Sequence, residues 1–451
     1  MIKENDIYNV VGVDYTSDGI GVAKVEGFPL FVNNLIIGEE ADIKVTKVMR
    51  NFGTAKVVRF TKVSKDRITP LIPETIHLGG CQFTQLDYEK EVEHKLSKVK
   101  RALRVIGGID YDIKTIHKAT NPYFYRNKTV LPLGVKKDGT VISGMYRYNS
   151  HDIVIMEKTH LDDLRASEVM VKIRELLTRH QISIYDEKSH KGDLRRIMLR
   201  ASYYTPDLMV VLITRTKNID NLSAFCNDLI AECPQISTIV QNINPHKTNV
   251  ILGDNEEVLY GSGIITDKID DLTFKISSKS FFQINTPQAE KLYSRAIELA
   301  YIKKDDVILD AYSGIGTITL LAAKKAKHAI GVEIVKEAVE DANVNRDYNN
   351  IKNATFYQDD AGDFLLKHKE LHKVNIVFVD PPRKGLSPVF INKIMEVLPP
   401  KIVYVSCDPA TLARDLKILT GKYAIKHIEA LDMFPRTSHV ENIVLLSLKT
   451  A

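Results

Sequence analysis

The feature that most restricts the fold of this chain is a regular alternation of strand-like and helix-like segments from about residue 272 onwards. Short apolar runs rich in β-branched residues are separated by helical patterns. These runs cover residues 307–310, 328–333, 355–357, 375–379 and 402–405. Such alternation predicts an α/β fold with a doubly wound, mostly parallel sheet. Residues 423–448 lack a helical pattern between two further apolar runs, so we expect an antiparallel pair to close the sheet.

The chain before residue 272 divides into two regions of different pattern. Residues 1–60 contain several short alternating runs broken by turn residues, which is typical of a small β-barrel of the OB type. Residues 61–271 mix strand and helix patterns without repeats or low-complexity segments. We therefore predict three domains: a barrel at 1–60, a mixed α+β central domain at 61–271 and the α/β domain at 272–451.

Basic residues are concentrated in the middle of the chain. Residues 61–200 contain 26 Lys and Arg against 18 Asp and Glu, whereas the whole chain carries a net charge of only +5. A polyanion would therefore bind mainly to the central region, although a solvated basic surface would have the same composition. The run NPYFYRNK at 121–128 combines rings and cations, which suits contacts with bases and phosphates or the capping of a sheet.

Composition excludes several classes of protein. No apolar run approaches the roughly 18 residues that a membrane helix needs, and the first residues lack the pattern of a secretory signal. Cys81, Cys226, Cys233 and Cys407 are irregularly spaced and give no disulfide framework. We expect a cytoplasmic protein that has no contact with a membrane.

Acidic residues follow successive strands of the predicted parallel sheet. The turn DAYSGIG at 310–316 would let a ligand approach the backbone closely, and Glu333 ends the next strand. Asp360 follows the third strand and Asp380 the fourth. Carboxylates at these positions disfavour a pyrophosphate and suit a cationic, phosphate-free ligand such as S-adenosylmethionine. A nucleotide-binding sheet is the alternative, but Thr319 stands where the dinucleotide fingerprint has its third glycine.

Cys407 lies where a strand is predicted to end and a helix to begin. Residues 402–405 are typical of a buried strand, and Asp408 followed by Pro409 is typical of a helix N-cap. Backbone N–H groups and the positive end of the helix would favour a thiolate there. For this run alone, a buried structural cysteine is the alternative.

Two residues could act as a base beside such a thiolate. Glu441 and His439 precede the final apolar run; a carboxylate can accept a proton, and the ordinary pKa of histidine makes His439 a rival. Chemistry alone does not separate them. A nucleophilic cysteine, a methyl-donor pocket and a base are together what methylation of carbon 5 of uracil requires. Thiolate addition to carbon 6 makes carbon 5 nucleophilic, and the proton on carbon 5 must then leave.

At these residues the sequence resembles the RNA (uracil-5-)-methyltransferase family with an N-terminal TRAM domain. The resemblance rests on SFFQIN at 280–285, DAYSGIG at 310–316, VDPPRKG at 379–385, VSCDP at 405–409, HVE at 439–441 and a TRAM-like pattern up to about residue 60. It implies a Rossmann-like class I methyltransferase sheet in the C-terminal domain. It also implies methylation of uridines in RNA, with S-adenosylmethionine as the donor.

The resemblance implies a role for each motif residue. Cys407 would be the nucleophile that adds to carbon 6, and Glu441, rather than His439, would remove the proton from carbon 5. The residues implied to bind the donor are Gln283, Tyr312, Glu333 and Asp360, with Asp380 in the pocket shared by the donor and the target base. Thr317 replaces an asparagine that many members have after the second glycine of the turn.

One segment departs from the pattern of the many relatives that bind a [4Fe–4S] cluster through four cysteines. Ile72, Leu78 and Thr159 stand where three of the ligands would be, and only Cys81 remains. One thiolate cannot hold a cubane cluster, so we expect no iron–sulfur cluster and no metal site. The subtype without a cluster resembles Gram-positive enzymes that act on 23S rRNA. The expected partner is therefore an rRNA loop or stem-loop, with no obligate protein partner.

Three alternative functions remain. A tRNA uracil-5 methyltransferase would carry the same motifs. An exocyclic-amine methyltransferase is suggested by Asp380-Pro-Pro382, but that class needs no cysteine, and Arg383 replaces its aromatic residue. A non-catalytic RNA-binding or assembly factor would not need both Cys407 and Glu441.

Overall fold

The computed structural model describes residues 2–148, 150–367 and 374–450. The N-terminal sheet contains β1 (Ile7–Val11), β2 (Asp14–Tyr15), β3 (Gly21–Val25), β4 (Phe28–Asn33), β5 (Glu40–Val48) and β6 (Gly53–Lys62). These strands are arranged in the order β1-β5-β6-β4-β3-β2, and β1 also packs against β3. Alternate residues point inward, so that Leu30, Val32, Ile43 and Val45 are fully buried in a core of this domain's own. The predicted N-terminal β-domain is confirmed.

A helical segment connects this domain to the rest of the molecule. It contains a short 3-10 turn (Pro73–His77) and α1 (Tyr88–Ala102), whose last turn continues as a π-helix (Leu103–Gly107), followed by the short strand β7 (Ile116–His117). Asp87 caps α1 by accepting hydrogen bonds from the N–H groups of Glu89 and Lys90.

The central sheet contains β8 (Lys128–Val135), β9 (Val141–Tyr146), β10 (Ile153–Ile155), β11 (Leu194–Ala201), β12 (Leu208–Thr214), β13 (Thr238–Ile243) and β14 (Asn255–Tyr260). Its order is β10-β9-β8-β11-β12-β13-β14. The helices α2 (Leu164–Arg179) and α3 (Leu222–Glu232) pack against it around Ile173, Leu212 and Phe225, which are fully buried. A separate hairpin of β15 (Ile264–Ile269) and β16 (Leu272–Ser277) follows.

The C-terminal domain alternates helices and strands as predicted. Its helices are α4 (Thr286–Ala300), α5 (Thr317–Ala323), α6 (Lys336–Tyr348), α7 (Ala361–Lys367), α8 (Pro388–Val397) and α9 (Pro409–Leu419). Its strands are β17 (Val307–Asp310), β18 (His328–Glu333), β19 (Ala354–Gln358), β20 (Ile376–Val379), β21 (Lys401–Ser406), β22 (Tyr423–Leu431) and β23 (Glu441–Leu448).

The strand order of the C-terminal sheet is β19-β18-β17-β20-β21-β23-β22-β7. The strands from β19 to β21 are parallel, and β23 is antiparallel to both β21 and β22. The predicted α/β fold is therefore confirmed, including its antiparallel closing pair. The strand order reverses direction between β17 and β20, which is where open α/β sheets bind ligands, outside the carboxyl ends of the strands.

Two elements cross the predicted domain ranges. The strand β7 lies within 61–271, but it pairs with β22 in the C-terminal sheet, and α1 packs against α9. The hairpin of β15 and β16 spans the boundary between residues 271 and 272. The division into 1–60, 61–271 and 272–451 stays a prediction, since the sheets share elements across these limits.

A buried ion network fixes α1 to the segment that precedes β23. Lys95 Nζ lies 2.7 Å from a carboxylate oxygen of Glu91 and 2.7 Å from one of Asp432, and all three side chains are fully buried. Glu91 also accepts a hydrogen bond of 2.7 Å from the backbone N–H of Arg436, whose φ is +67°. Removing one charge from such a network leaves the others uncompensated, at a cost of about 3–5 kcal/mol. The network therefore holds the path of residues 432–440.

None of the helices in the described ranges combines the length and the apolar character that crossing a bilayer demands.

Candidate active site

Cys407 and Glu441 lie side by side at the carboxyl end of β21. The strands β21 and β23 pair in a register that sets Ser406 opposite Asn442. Continuing that register by one residue brings Cys407 opposite Glu441. Residues directly opposite in an antiparallel pair have Cα atoms about 4.5–5.5 Å apart, so the two side chains belong to one site.

The surroundings of Cys407 hold its thiol in the protonated form. Burial raises the pKa of the Cys407 thiol to about 12, and the charges of Glu441 and Asp380 act in the same direction against the opposing effect of Arg383. The first N–H groups of α9 are already taken, because the Asp408 carboxylate accepts hydrogen bonds of 2.9 Å from both Ala410 and Thr411. The expectation that the helix end favours a thiolate in the free protein is therefore wrong.

Glu441 and Asp380 form a pair of interacting carboxyl groups next to Cys407. Burial and the charge of Asp380 raise the pKa of Glu441 well above its usual range, and Glu441 is only 2% exposed. Burial and the charge of Asp310 raise the pKa of Asp380 to about 7. Carboxylates that share a site resist ionising together, so a positively charged ligand between them would be strongly favoured.

His439 faces Arg383. Its Nε2 lies 3.2 Å from a guanidinium nitrogen of Arg383, and its ring makes an edge-to-face contact with Phe434 at 6.0 Å between centroids. Burial, with the charges of Arg383 and Lys98, lowers the pKa of His439 to about 4. The imidazole is therefore neutral near pH 7, and its Nε2 lone pair is directed at Arg383.

The loop that carries Asp380 and Arg383 is held by α9. Asp415 accepts a hydrogen bond of 2.9 Å from the N–H of Leu386, and Arg414 donates one of 2.8 Å to the carbonyl of Lys384. Gly385 has a φ of +74°, and a Cβ atom there would lie 2.6 Å from a carboxylate oxygen of Asp415. The positive φ and the close side chains favour glycine in this turn, which holds the loop that carries Arg383 against α9.

The predicted donor-binding residues gather at the same edge of the sheet. Glu333 accepts hydrogen bonds from the N–H groups of Gly314 (3.1 Å) and Val335 (2.9 Å), which fixes its carboxylate against the glycine turn. The Asp360 carboxylate accepts from the first N–H groups of α7, those of Gly362 (2.8 Å) and Asp363 (3.1 Å).

Tyr312 and Gln283 approach this edge from two other elements. The Tyr312 ring packs on Phe390, with 5.8 Å between centroids, and burial raises the pKa of Tyr312 to about 12. The backbone carbonyl of Gln283 accepts a hydrogen bond of 2.9 Å from the Asn127 side chain. Thr317, at the position of the missing asparagine, is the first residue of α5. The donor-binding roles of these residues stay predictions.

Asp310 is a residue of this site that the sequence analysis did not single out. It is 1% exposed, and one of its oxygens accepts a hydrogen bond of 2.7 Å from Thr319, the residue at the place of the third glycine. The other oxygen, and the Ser313 hydroxyl, have no hydrogen-bond partner among the described residues. Burial raises the pKa of Asp310 to about 6. Its place at the end of β17, just before the glycine turn, was the available signal.

The chemistry of this edge fits S-adenosylmethionine. Three buried carboxyl groups, those of Asp310, Asp380 and Glu441, have raised pKa values and form no salt bridge with any described residue. A Cβ atom built on Gly314, whose φ is +52°, would meet no atom within 4 Å, so the turn faces open space. A pocket of buried carboxyl groups beside an open turn suits a cation that carries no phosphate, because the cation would favour their ionised forms.

A cleft of about 780 Å³ opens onto Cys407. Cys407 and Arg383 line one end, Lys98 and Arg101 of α1 line one side, and residues 13–18 of the N-terminal domain line the other. Lys98 Nζ donates hydrogen bonds to the carbonyls of Ser17 (2.8 Å) and Ser438 (2.9 Å) and so connects the two walls. The cysteine is therefore reached from a space between two domains.

The segment that resembles a cluster site is packed as ordinary core. Cys81 (3% exposed) and Leu78 (4%) share a buried cluster with Tyr125 and Leu161. Burial raises the pKa of the Cys81 thiol to about 12. In the described ranges no group of three or more His, Cys, Asp or Glu side chains could hold a metal ion. The absence of an iron–sulfur cluster stays a prediction.

The polar residues around this segment bind one another. Thr159 donates a hydrogen bond of 2.6 Å to Asp162, which also accepts one of 2.5 Å from Thr129. The backbone N–H of Ile72 donates to His160 Nε2 at 2.8 Å. Hydrogen bonds and apolar contacts therefore join the segments of this region to one another.

Known proteins match the chain over nearly its whole length. The sequence model of the tRNA (uracil-5-)-methyltransferase family matches residues 87–449, and that of the TRAM domain matches residues 10–58. An uncharacterized RNA methyltransferase of Oceanobacillus iheyensis is 42% identical over 99% of this chain and 98% of that protein. One from Listeria innocua is 39% identical over 100% of this chain and 99% of that protein.

A solved structure has the same architecture. The structure of the tRNA (uracil-54, C5)-methyltransferase of Pyrococcus abyssi, in complex with S-adenosyl-L-homocysteine, has a TM-score of 0.79 and a sequence identity of 27%. The similarity covers 97% of this chain and 99% of that one.

Proposed function

The chain belongs to the tRNA (uracil-5-)-methyltransferase family of S-adenosylmethionine-dependent RNA methyltransferases, and we propose that it methylates carbon 5 of specific uridines in 23S rRNA. The observation that carries the mechanism is the strand register that brings Cys407 opposite Glu441, beside the buried carboxyl of Asp380. In this proposal Gln283, Tyr312, Glu333, Asp360 and Asp380 hold the donor.

In the first step, the thiol of Cys407 gives its proton to solvent in the cleft as Sγ bonds to carbon 6 of the uracil. The electron pair of the C5–C6 double bond moves towards carbon 5 and the neighbouring carbonyl, which makes carbon 5 nucleophilic. Arg383 favours the thiolate, since its charge acts to lower the pKa of Cys407. When bound, S-adenosylmethionine would supply the electrophilic methyl group that carbon 5 attacks, and it would leave as S-adenosylhomocysteine.

In the second step, Glu441 removes the proton from carbon 5. The electron pair of that C–H bond restores the C5–C6 double bond and expels the Cys407 thiolate, which frees the enzyme. A raised pKa makes the ionised Glu441 a stronger base, and its burial keeps water away from the adduct. His439 is a weaker base by virtue of its lowered pKa, and it orients Arg383 in this proposal.

The target uridine must leave its stack to reach Cys407. Carbon 6 of a stacked base is inaccessible to a side chain, so the base flips out or is unpaired from the start. A loop or bulge is therefore the preferred substrate, and the cleft between α1 and the N-terminal domain is where it would enter. We propose that the enzyme acts in the cytoplasm, without an obligate protein partner.

The choice of 23S rRNA rests on the residues Ile72, Leu78 and Thr159, which match the subtype without a cluster. A tRNA uridine is the second candidate, because the Pyrococcus abyssi protein, similar over 97% of this chain, is a tRNA (uracil-54, C5)-methyltransferase. Mapping of 5-methyluridine in tRNA and 23S rRNA from a deletion strain separates the two. Loss of the nucleoside from 23S rRNA alone supports the proposal, and loss from tRNA alone overturns it.

The reaction itself is tested with purified protein. We expect RNA from the deletion strain, incubated with labelled donor, to yield labelled 5-methyluridine. A methylated exocyclic amine would indicate the exocyclic-amine reaction, and no label in any nucleoside, with RNA bound, would indicate a non-catalytic factor.

A further inference from the structure

Two more clefts continue the Cys407 cleft across the surface. A cleft of about 790 Å³ on the N-terminal domain shares Thr16, Ser17 and Asp18 with the Cys407 cleft. A third, of about 540 Å³, is lined by Arg147 and Arg196 of the central domain. The second and third share Tyr148. Because they share these residues, the three clefts adjoin one another. Together they extend from Cys407 to the basic central sheet.

An aromatic pair lies in the middle cleft. The rings of Phe31 and Phe52 are stacked, with centroids 4.7 Å apart and planes 24° from parallel. Both side chains are half-buried and line the cleft. Neither belongs to the core of the domain, because on β4 the neighbours of Phe31, Leu30 and Val32, are the residues that point inward. The two rings therefore stand on the outer face.

The surface around the rings is polar and carries a positive charge. Strand pairing sets Phe31 beside Thr54 and Asn33 beside Lys56 on the same outer face. Thr54 and Thr46 hydrogen-bond through their hydroxyls at 2.8 Å. Lys56 is exposed and forms no ion pair with any residue in the described ranges. This surface is suited to bind a nucleotide: the rings can stack on the base, the hydroxyls and the amide can hydrogen-bond, and the cation can contact a phosphate.

We propose that Phe31 and Phe52 form a stacking site for an unpaired base of the RNA segment that flanks the target uridine. The proposal rests on the proposed function, because continuity with the Cys407 cleft identifies the occupant as the same RNA strand. Lys56 neutralises a phosphate of that strand, and the strand continues towards Arg147 and Arg196. Stacking of this kind is tolerant of sequence, since every base has a flat face.

The test compares full-length variants with a matched control from the same domain. Phe31→Ala and Phe52→Ala remove a ring, Phe31→Tyr keeps one, and Ile7→Ala removes an exposed apolar side chain (60% exposed) that lines none of the three clefts. The probe is a fluorescein-labelled oligouridine of about 12 nucleotides, with a duplex of the same length as comparison. Affinity is measured by fluorescence anisotropy at fixed salt, and folding by thermal unfolding.

We expect each alanine variant to bind the single strand about 5- to 100-fold more weakly, while Phe31→Tyr and Ile7→Ala change its affinity by less than about twofold. Affinity for the duplex should not change, because its bases offer no free face. Equal affinity of wild type and alanine variants for the single strand overturns the proposal. An equal loss of affinity for the single strand and the duplex also overturns it. A change in oligomeric state alone overturns it as well, and would identify a second copy of the chain as the occupant.

This outcome is independent of the chemistry at Cys407. A wild-type protein that binds oligouridine through Phe31 but forms no 5-methyluridine in cellular RNA would contradict the proposed function and support the stacking site. A protein that makes 5-methyluridine, but whose alanine variants at Phe31 and Phe52 bind oligouridine as tightly as wild type, would support the proposed function and contradict the stacking site.

Discussion

The pKa of the thiol is raised to about 12 in both Cys407 and Cys81. The two regions nevertheless differ in how accessible the thiol is and in which groups surround it. Cys81 is 3% exposed and packs in a core with Leu78, Tyr125 and Leu161. Cys407 is partly exposed, opens onto a cleft of about 780 Å³, and lies beside the carboxyl groups of Glu441 and Asp380.

The two regions differ in whether a ligand can change the cause of the raised pKa. Around Cys81 the cause is apolar packing, which is permanent in the folded protein. Around Cys407 part of the cause is negative charge, which a bound cation or a proton can neutralise. The perturbed pKa therefore does not by itself identify a nucleophile; access and the presence of ionisable neighbours do.

The largest effect should come from removing the two thiols in turn. We expect Cys407→Ala to reduce methyl transfer by at least about 10⁴-fold, because the Cys407 thiolate is the group proposed to activate carbon 5. Cys81→Ala should retain activity within about twofold and lose only packing stability. Transfer of labelled methyl groups to RNA measures both. The wild type and Cys81→Ala should form a covalent adduct with RNA containing 5-fluorouridine, and Cys407→Ala should not. An active Cys407→Ala variant would contradict the distinction between a reactive Cys407 and a structural Cys81.

A second test concerns the base. Glu441→Gln keeps the shape of the side chain but cannot accept a proton, so we expect turnover to fall by about 10²- to 10⁴-fold. The methylated covalent enzyme–RNA complex should accumulate and be visible on a denaturing gel. His439→Gln is the matched control and should not accumulate it. If His439→Gln stalls at this stage while Glu441→Gln turns over, the base is misassigned.

A third, smaller effect should appear in the pH dependence of donor binding. The pKa of Asp380 is raised to about 7, so its carboxyl is mostly protonated at pH 6 and mostly ionised at pH 8. A cationic donor favours the ionised form, so the affinity for S-adenosylmethionine should rise about tenfold from pH 6 to pH 8. Calorimetry measures it. S-adenosylhomocysteine lacks the sulfonium charge, so its affinity should depend less on pH. In Asp380→Asn the pH dependence of S-adenosylmethionine binding should disappear. If this variant keeps the same pH dependence, a group other than Asp380 causes it.

The smallest effect is expected in the region of Cys81. Protein purified without oxygen should contain no stoichiometric iron and show no broad visible absorbance, because one buried thiol cannot hold a cluster. An iron assay and an absorbance scan of wild type and Cys81→Ala should therefore coincide. A visible band that is lost in Cys81→Ala would show that this region binds a cofactor after all and remove the contrast with Cys407.

Local patterns in the sequence predicted the parts of the fold that depend on local interactions. Strand and helix periodicity located the parallel sheet, and the glycine turn with Glu333 located its ligand-binding edge. The placement of Cys407 opposite Glu441 depends on the register of β21 and β23, which no local pattern encodes. Only the family resemblance predicted that these two residues act together.

Long-range contacts explain what the sequence analysis missed. The hydrogen bond from Tyr88 to Asp432 joins residues 344 positions apart, and the pairing of β7 with β22 has a similar span. The ionisation of Cys407 was wrongly predicted for a different reason. The Asp408 carboxylate binds the N–H groups at the helix end, and buried carboxyl groups surround the thiol; both depend on the folded arrangement.

The insertion of β23 between β21 and β22 has a consequence for biosynthesis. Every other strand of that sheet emerges from the ribosome before β23 does. Until then β21 has an unpaired edge rich in β-branched residues, which can associate with other chains. In the proposed mechanism, the nascent protein also contains its nucleophile before its base, since Glu441 is the first residue of β23. By the same mechanism, an RNA that added to Cys407 at that stage would not be released until β23 joins the sheet.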